Sequence, residues 1–264
     1  MSDRLLVTLE NGVKRVTFNN PARRNSIDFA TINLFTDAIR QSATDETRVI
    51  VITGAGDSFC AGADLQSLSA GSSEGDLANH DITESLRNGV NPGILAMREL
   101  PKPIIARVHG HAAGVGCNYA LASDIIIASD QAFFSQVFVK IALMPDGGGT
   151  WFLPRLVGYH KAFEMMALGD PISAQEALDL GTVNRVVPFE ELDKTVNALV
   201  ARLAQSPAIS IAKIKAALNR SLQSDLAAML DFEAVNQGDC FCSSDFKEGV
   251  AAFLQKRKPA FTGK

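Results

Sequence analysis

Two stretches of small residues, Phe59-Cys60-Ala61-Gly62-Ala63-Asp64-Leu65 and Gly110-His111-Ala112-Ala113-Gly114-Val115-Gly116-Cys117-Asn118, are suited to presenting backbone N–H groups rather than side chains. Two such donors aimed at one carbonyl oxygen form an oxyanion hole, which stabilises charge developing on that oxygen. The second stretch leads into the helix-like run 118–122, and a helix N-terminus adds its positive end to the same task. Taken singly, either stretch also suits tight packing or a phosphate cradle. Farther along, Pro145-Asp146-Gly147-Gly148-Gly149-Thr150 places an aspartate in a turn, where position alone favours a cap. An aspartate in such a turn either caps the helical run 150–157 or works as an acid/base. The roles compete, because a capping carboxylate is held anionic by its donors.

The remaining reactive side chains point elsewhere. His109 and His111 flank the second stretch without a Ser or Cys nucleophile at a matching position, so they read as structural. Cys117 stands at a helix start, where a thiol pKa is lowered, yet its small-residue context reads as packing. Cys60, Cys117, Cys240 and Cys242 are few for 264 residues and indicate reduced thiols in a cytoplasmic compartment. Cys240-x-Cys242 lacks a second ligand pair, so no metal site is expected.

The elements that position these groups follow from periodicity. Residues 5–19 read as a hairpin around Asn11-Gly12. A helix over 28–42 carries Phe29, Ile32, Phe35 and Ile39 on one face. Buried strands at 48–53 and 103–108 each precede a glycine stretch, a helix is expected over 82–99, and a further strand over 124–128. The polar segment 67–81 reads as a mobile, lid-like loop. From Phe189 onward four helical patterns follow (190–204, 209–221, 224–236, 244–256), so the chain is α/β first and helical last, with the division placed at 1–190 and 191–264.

With 47% hydrophobic residues the chain can bury a sizeable core. A net charge of −4 and a pI near 5.6 carry no signature of nucleic-acid binding. Neither a membrane span nor a secretory signal is visible.

The ordered motifs resemble the crotonase superfamily, the enoyl-CoA hydratase/isomerase group. Asn20-Pro21-Ala22-Arg23-Arg24-Asn25-Ser26 resembles its first CoA-contacting loop, the two glycine stretches its oxyanion loops, and Pro145 to Thr150 its active-site turn. Glu248-Gly249-x-x-Ala252-Phe253-x-x-Lys256-Arg257-x-Pro259-x-Phe261 resembles its closing pattern. The resemblance implies a crotonase-type spiral of ββα turns with a C-terminal helical trimerisation region, assembled as a homotrimer or hexamer. It implies an acyl-CoA substrate, with CoA part of the substrate and no separate cofactor. By position, Ala63 and Val115 would supply the oxyanion N–H groups. Val115 replaces the glycine common there, and its isopropyl group should narrow the pocket. Arg24, Ala61, Asp64 and Leu65 would contact CoA, the last three through backbone atoms, although Asp64 equally suits a helix N-cap. Arg23, Lys256, Arg257 and Lys258 are further candidate cations for the CoA phosphates.

Hydratases of this group carry two glutamates to activate water. Here Asn118 and Phe138 stand at those positions, and neither transfers a proton at neutral pH. What remains is Asp146, in a Pro-Asp-x-Gly-Gly-Thr-Trp run similar to the isomerase branch associated with phenylacetate degradation. The expected chemistry is enoyl-CoA double-bond isomerisation with one carboxylate; the alternatives are hydration driven by Asp146, or a catalytically silent CoA-binding subunit. Trp151 fits either the acyl pocket or the core.

Overall fold

The computed structural model describes residues 4–65 and 81–264; the segment read above as a lid, 67–81, lies outside them apart from Asp81. Strands β1 (Leu5–Glu10) and β2 (Val13–Phe18) form the expected antiparallel hairpin. Its turn residues Asn11 and Gly12 both have positive φ (52° and 77°), the geometry that matches strand twist. Strands β3 (Val49–Gly54), β4 (Ile104–Val108), β6 (Ile125–Ser129) and β9 (Arg185–Val187) extend this hairpin in parallel, giving the order β1-β2-β3-β4-β6-β9. Three short strands, β5 (His111–Ala113), β7 (Phe133–Ser135) and β8 (Ile172–Ser173), make a second sheet.

The chain thus winds as a spiral. After β4 it adds β5 to the small sheet and turns into helix α4 (Val115–Ala122); after β6 it adds β7 and continues to helix α5 (Gly149–Val157). Helix α1 (Phe29–Gln41) starts at Asp28, whose carboxylate accepts the Thr31 N–H at 2.8 Å. The helix expected over 82–99 is interrupted: α2 (Ile82–Ser85) passes through a π turn at Leu86–Val90 into α3 (Asn91–Glu99). Helices α6 (Tyr159–Leu168) and α7 (Ala174–Asp179) and the short strands β5 and β7 to β9 had too few residues for a readable period.

Strands β3 and β4 are buried on both faces because the sheet is covered twice. Ile50 and Ile52 join the main core with Phe18, Phe35, Phe59 and Tyr119, whose rings pack with centroids 4.6 to 6.0 Å apart. Val49 and Val51 face the opposite way, onto Leu192, Val196 and Val200 of helix α8 (Phe189–Ala204). The division between residues 190 and 191 therefore falls inside a helix that covers the sheet. Helices α9 (Ala208–Ser221), α10 (Leu226–Cys242) and α11 (Ser244–Leu254) follow, and far fewer of their apolar side chains are buried. Among the described residues no helix is long and apolar enough to cross a membrane.

Candidate active site

The two glycine stretches lie side by side. The Cys60 N–H donates to the His111 carbonyl at 3.0 Å and the Ala113 N–H returns to the Cys60 carbonyl at 2.9 Å. Gly62 (φ 96°) sits so close to this partner that a Cβ there would lie 2.9 Å from the Ala113 carbonyl oxygen, hence glycine. On the other side, Ile27 donates to the Gly62 carbonyl and Asp64 donates to that of Ile27, at 2.9 and 2.8 Å. These bonds bracket Ala63 without using its N–H. Val115 is the first residue of α4, where a helical N–H has no acceptor in its own helix. Neither the Ala63 nor the Val115 N–H donates to any described residue.

Both residues line a cavity of about 150 Å³ together with Asp146, Phe138, Val90 and Leu143. Asp146 does not cap the helix that follows it: the N-cap position of α5 is Gly148, with no side-chain cap hydrogen bond. Instead its Oδ1 is buried without a hydrogen-bond partner. Burial accordingly pushes the Asp146 carboxyl up to about 6, because removal from water disfavours the charged form. Next to it, Gly147 has φ 54°, and a Cβ there would meet Val115 Cγ2 and Val90 Cγ1, each at 3.3 Å. The Val115 isopropyl group is thus packed against the Asp146 turn.

Asp28 and Asp64 line the same cavity, and both are engaged. Although burial raises its pKa, hydrogen bonds from Thr31 and the charge of Arg4 hold Asp28 below the usual carboxylate value. Asp64 is buried and receives both of its oxygens' contacts from Arg23, at 2.9 and 3.2 Å. Arg23 is therefore committed to a protein carboxylate as well as being a candidate phosphate ligand. The helix N-cap expected of Asp64 lies outside the described residues.

Of the other candidates, Ala61 and Leu65 line the cavity. The exposed Arg24 does not; its carbonyl accepts the Ala61 N–H at 2.9 Å, so its loop is tied to the site while its guanidinium faces outward. Arg257 is held by Glu248 through two contacts of 2.6 and 2.8 Å. His109 is buried between Arg107 and the Gly56 carbonyl, with contacts of 2.9 Å on each ring nitrogen, and burial lowers its pKa. Burial pushes the Cys117 thiol up to about 12, so the helix N-terminus does not activate it. Trp151 lies away from Asp146: it lines a separate cavity of about 670 Å³ between α3, α5 and α9, and stacks under Arg155 at 4.4 Å. Among the described residues no cluster of His, Cys, Asp or Glu is suited to hold a metal ion.

The sequence reading missed Leu86 and Val90, which reach the cavity from the π turn, and Gln136. Gln136 stood in plain view as a lone amide in the apolar run Ala132-Phe133-Phe134-Ser135-Gln136-Val137-Phe138. A buried amide needs partners, which is a signal of a built contact.

The model of the family described as enoyl-CoA hydratase/isomerase matches residues 8–264. A probable enoyl-CoA hydratase of Rhodobacter capsulatus is 40% identical over 97% of this chain and 96% of its own. The 1,2-epoxyphenylacetyl-CoA isomerase of Escherichia coli is 38% identical over the full length of both. Among solved structures, a putative enoyl-CoA hydratase/isomerase from Mycobacterium abscessus superposes with a TM-score of 0.93 at 30% identity, covering 98% of this chain and all of the other.

Proposed function

Because the chain belongs to the enoyl-CoA hydratase/isomerase family and has its crotonase-type spiral fold, we propose that it is an enoyl-CoA double-bond isomerase with Asp146 as its single acid/base. The observation that carries this reading is the unengaged Oδ1 of Asp146. Three carboxylates line the cavity among the described residues, and the other two, Asp28 and Asp64, hold protein partners.

The substrate is a 3-enoyl-CoA thioester. Its carbonyl oxygen accepts the Ala63 and Val115 N–H groups, which acidifies the C2–H bond. Asp146 removes the C2 proton; the electron pair moves onto the thioester oxygen, giving a dienolate that the two donors hold. Return of the proton at C4 shifts the double bond into conjugation and regenerates the carboxylate, so no cofactor is consumed. A pKa near 6 suits a group that must both take and give a proton near neutral pH. CoA is held by the Arg24 loop and by backbone atoms around Ala61, Asp64 and Leu65.

Hydration is the second reading, because the relatives' names divide between hydratase and isomerase. Against it stand Asn118 and Phe138, which leave Asp146 without a second carboxylate to orient water. We place the protein in the cytoplasm as a homotrimer or hexamer joined through α9 to α11. Phe253 (84% exposed) and Leu226 (74%) are side chains that a neighbouring copy would cover.

The test is ultraviolet absorbance of a 3-enoyl-CoA solution on adding enzyme, since only the conjugated product absorbs there. A rise that Asp146→Asn abolishes supports the isomerase. A flat trace, with loss of absorbance from a 2-enoyl-CoA instead, establishes hydration. No change with either substrate leaves the silent CoA-binding subunit.

A further inference from the structure

We propose that Asn118 and Gln136 are paired positioning residues that hold the Asp146 turn by its main-chain carbonyl, registering the base to the helix that carries the Val115 donor. The proposal rests on the reading of Asp146 as the acid/base.

Asn118 Nδ2 donates to the Asp146 carbonyl oxygen at 2.7 Å, and Gln136 Nε2 donates to Asn118 Oδ1 at 2.9 Å. Both amides are buried, Asn118 completely. Asn118 is three residues beyond Val115 on α4, one turn along the same helix. The Asp146 carbonyl also accepts the Gly149 N–H at 3.0 Å, but that bond is internal to the turn. The Asn118 bond is the hydrogen bond that ties the turn to α4. It therefore ties the proton acceptor to one of the two oxyanion donors.

The Asp146 carbonyl can only accept, so it turns the Asn118 NH₂ end toward the turn, and Gln136, donating to Oδ1, fixes the same amide from its other end. The space for this contact is kept by Gly149, where a Cβ would lie 2.8 to 3.1 Å from the Asn118 amide atoms. Because the contact uses the backbone of Asp146, its Oδ1 stays unengaged. Gln136, just beyond strand β7, spends its Nε2 on Asn118 Oδ1 and on Cys117 Sγ at 3.5 Å while its own Oε1 is buried without a partner, a cost to stability that the contact to the turn accompanies.

Catalytic geometry is sensitive to displacements of about 1 Å, on the order of 100-fold in rate. The experiment compares Asn118→Leu, Gln136→Met, the single exchanges Asn118→Gln and Gln136→Asn, and the double exchange Asn118→Gln/Gln136→Asn, which moves one methylene across the pair. Each is assayed for kcat, KM and the pH dependence of kcat on a 3-enoyl-CoA, with thermal melting for fold. The expected result is a 10- to 100-fold fall in kcat for each single variant, KM within about threefold, and an altered pH midpoint. The double exchange is expected to recover at least tenfold over either single exchange. Single variants with kcat within twofold of wild type, while Asp146→Asn is inactive, would overturn the positioning role. So would a double exchange no better than its singles, a comparison that remains available if Asn118→Leu does not fold. If Asp146→Asn itself retains wild-type kcat, the acid/base reading fails instead.

Discussion

The Arg23–Asp64 region and the Asp146 turn each bring one carboxylate to the same small cavity, and they treat it in opposite ways. Asp64 is gripped by a guanidinium at 2.9 Å, whereas Asp146 is held through its main chain with one side-chain oxygen bare. The first arrangement spends the carboxylate on holding a loop in place. The second leaves it desolvated and able to exchange a proton, at some expense to folding. The backbone around each is anchored with equal care, so the difference lies in which atoms are used for anchoring. A carboxylate serves chemistry when its loop is fixed by other groups.

The largest effect that separates the two regions is expected from Asp146→Asn, which should lower kcat for isomerisation by about 10²- to 10⁴-fold, the usual worth of a positioned acid/base. The same substitution should raise stability. A carboxyl moved from 3.8 to about 6 binds its proton more tightly folded than unfolded, so wild-type stability falls as pH rises through that window. At pH 7 the variant should therefore be more stable by at most roughly 3 kcal/mol, with most of the gain gone near pH 4, as read by urea unfolding at both values. A variant that is less stable at pH 7 would break the comparison.

Next in size is Val115→Pro. Proline is tolerated at the first position of a helix, so this change removes a donor with little harm to α4. A kcat loss of about 10²- to 10³-fold is expected from steady-state assays, with the melting temperature lowered only by the lost packing of the buried Val115 side chain. The pH profile is smaller in reach: kcat/KM should fall about tenfold per unit below pH 6 as Asp146 takes up its proton. Asp64→Asn should cost about 1 kcal/mol of stability, since Arg23 is half-exposed and can turn to solvent. Its kcat should stay within a few-fold, and a loss as large as that of Asp146→Asn would erase the distinction between the two acids. The smallest effect is expected from Arg24→Ala, a rise of about threefold in KM that shrinks further at high salt, because the side chain is exposed.

Much of this was legible in the linear chain. Long periodic elements such as α1, α8 and strands β3 and β4 carry enough apolar repeats to declare themselves. The two glycine stretches and the Pro-Asp-Gly turn announced themselves by residue type, because positive φ and close backbone approach demand glycine there. The π turn at Leu86–Val90 did not, since inserting one residue into a helical turn leaves no compositional mark. The two- and three-residue strands of the small sheet are shorter than a readable period, and Gln136 was overlooked at the end of one of them. Trp151 could be assigned to neither pocket nor core, because the side of α5 that faces Asp146 depends on packing against α3 and α9.

The sequence by itself determined the order of the loops and the residue types at each place, among them Asn118, Phe138 and the aspartate of the Pro145–Thr150 turn, because these are matters of residue identity, whereas the two proposed backbone donors came from the family resemblance. Whether Asp146 caps a helix or faces a cavity was decided only by the tertiary structure. The two states share one local sequence, and they differ in where hydrogen-bond donors from distant elements fall. Asn118 from a helix, itself held by Gln136, brings such a donor to the main chain of the turn, and the surrounding residues keep the Asp146 Oδ1 out of water.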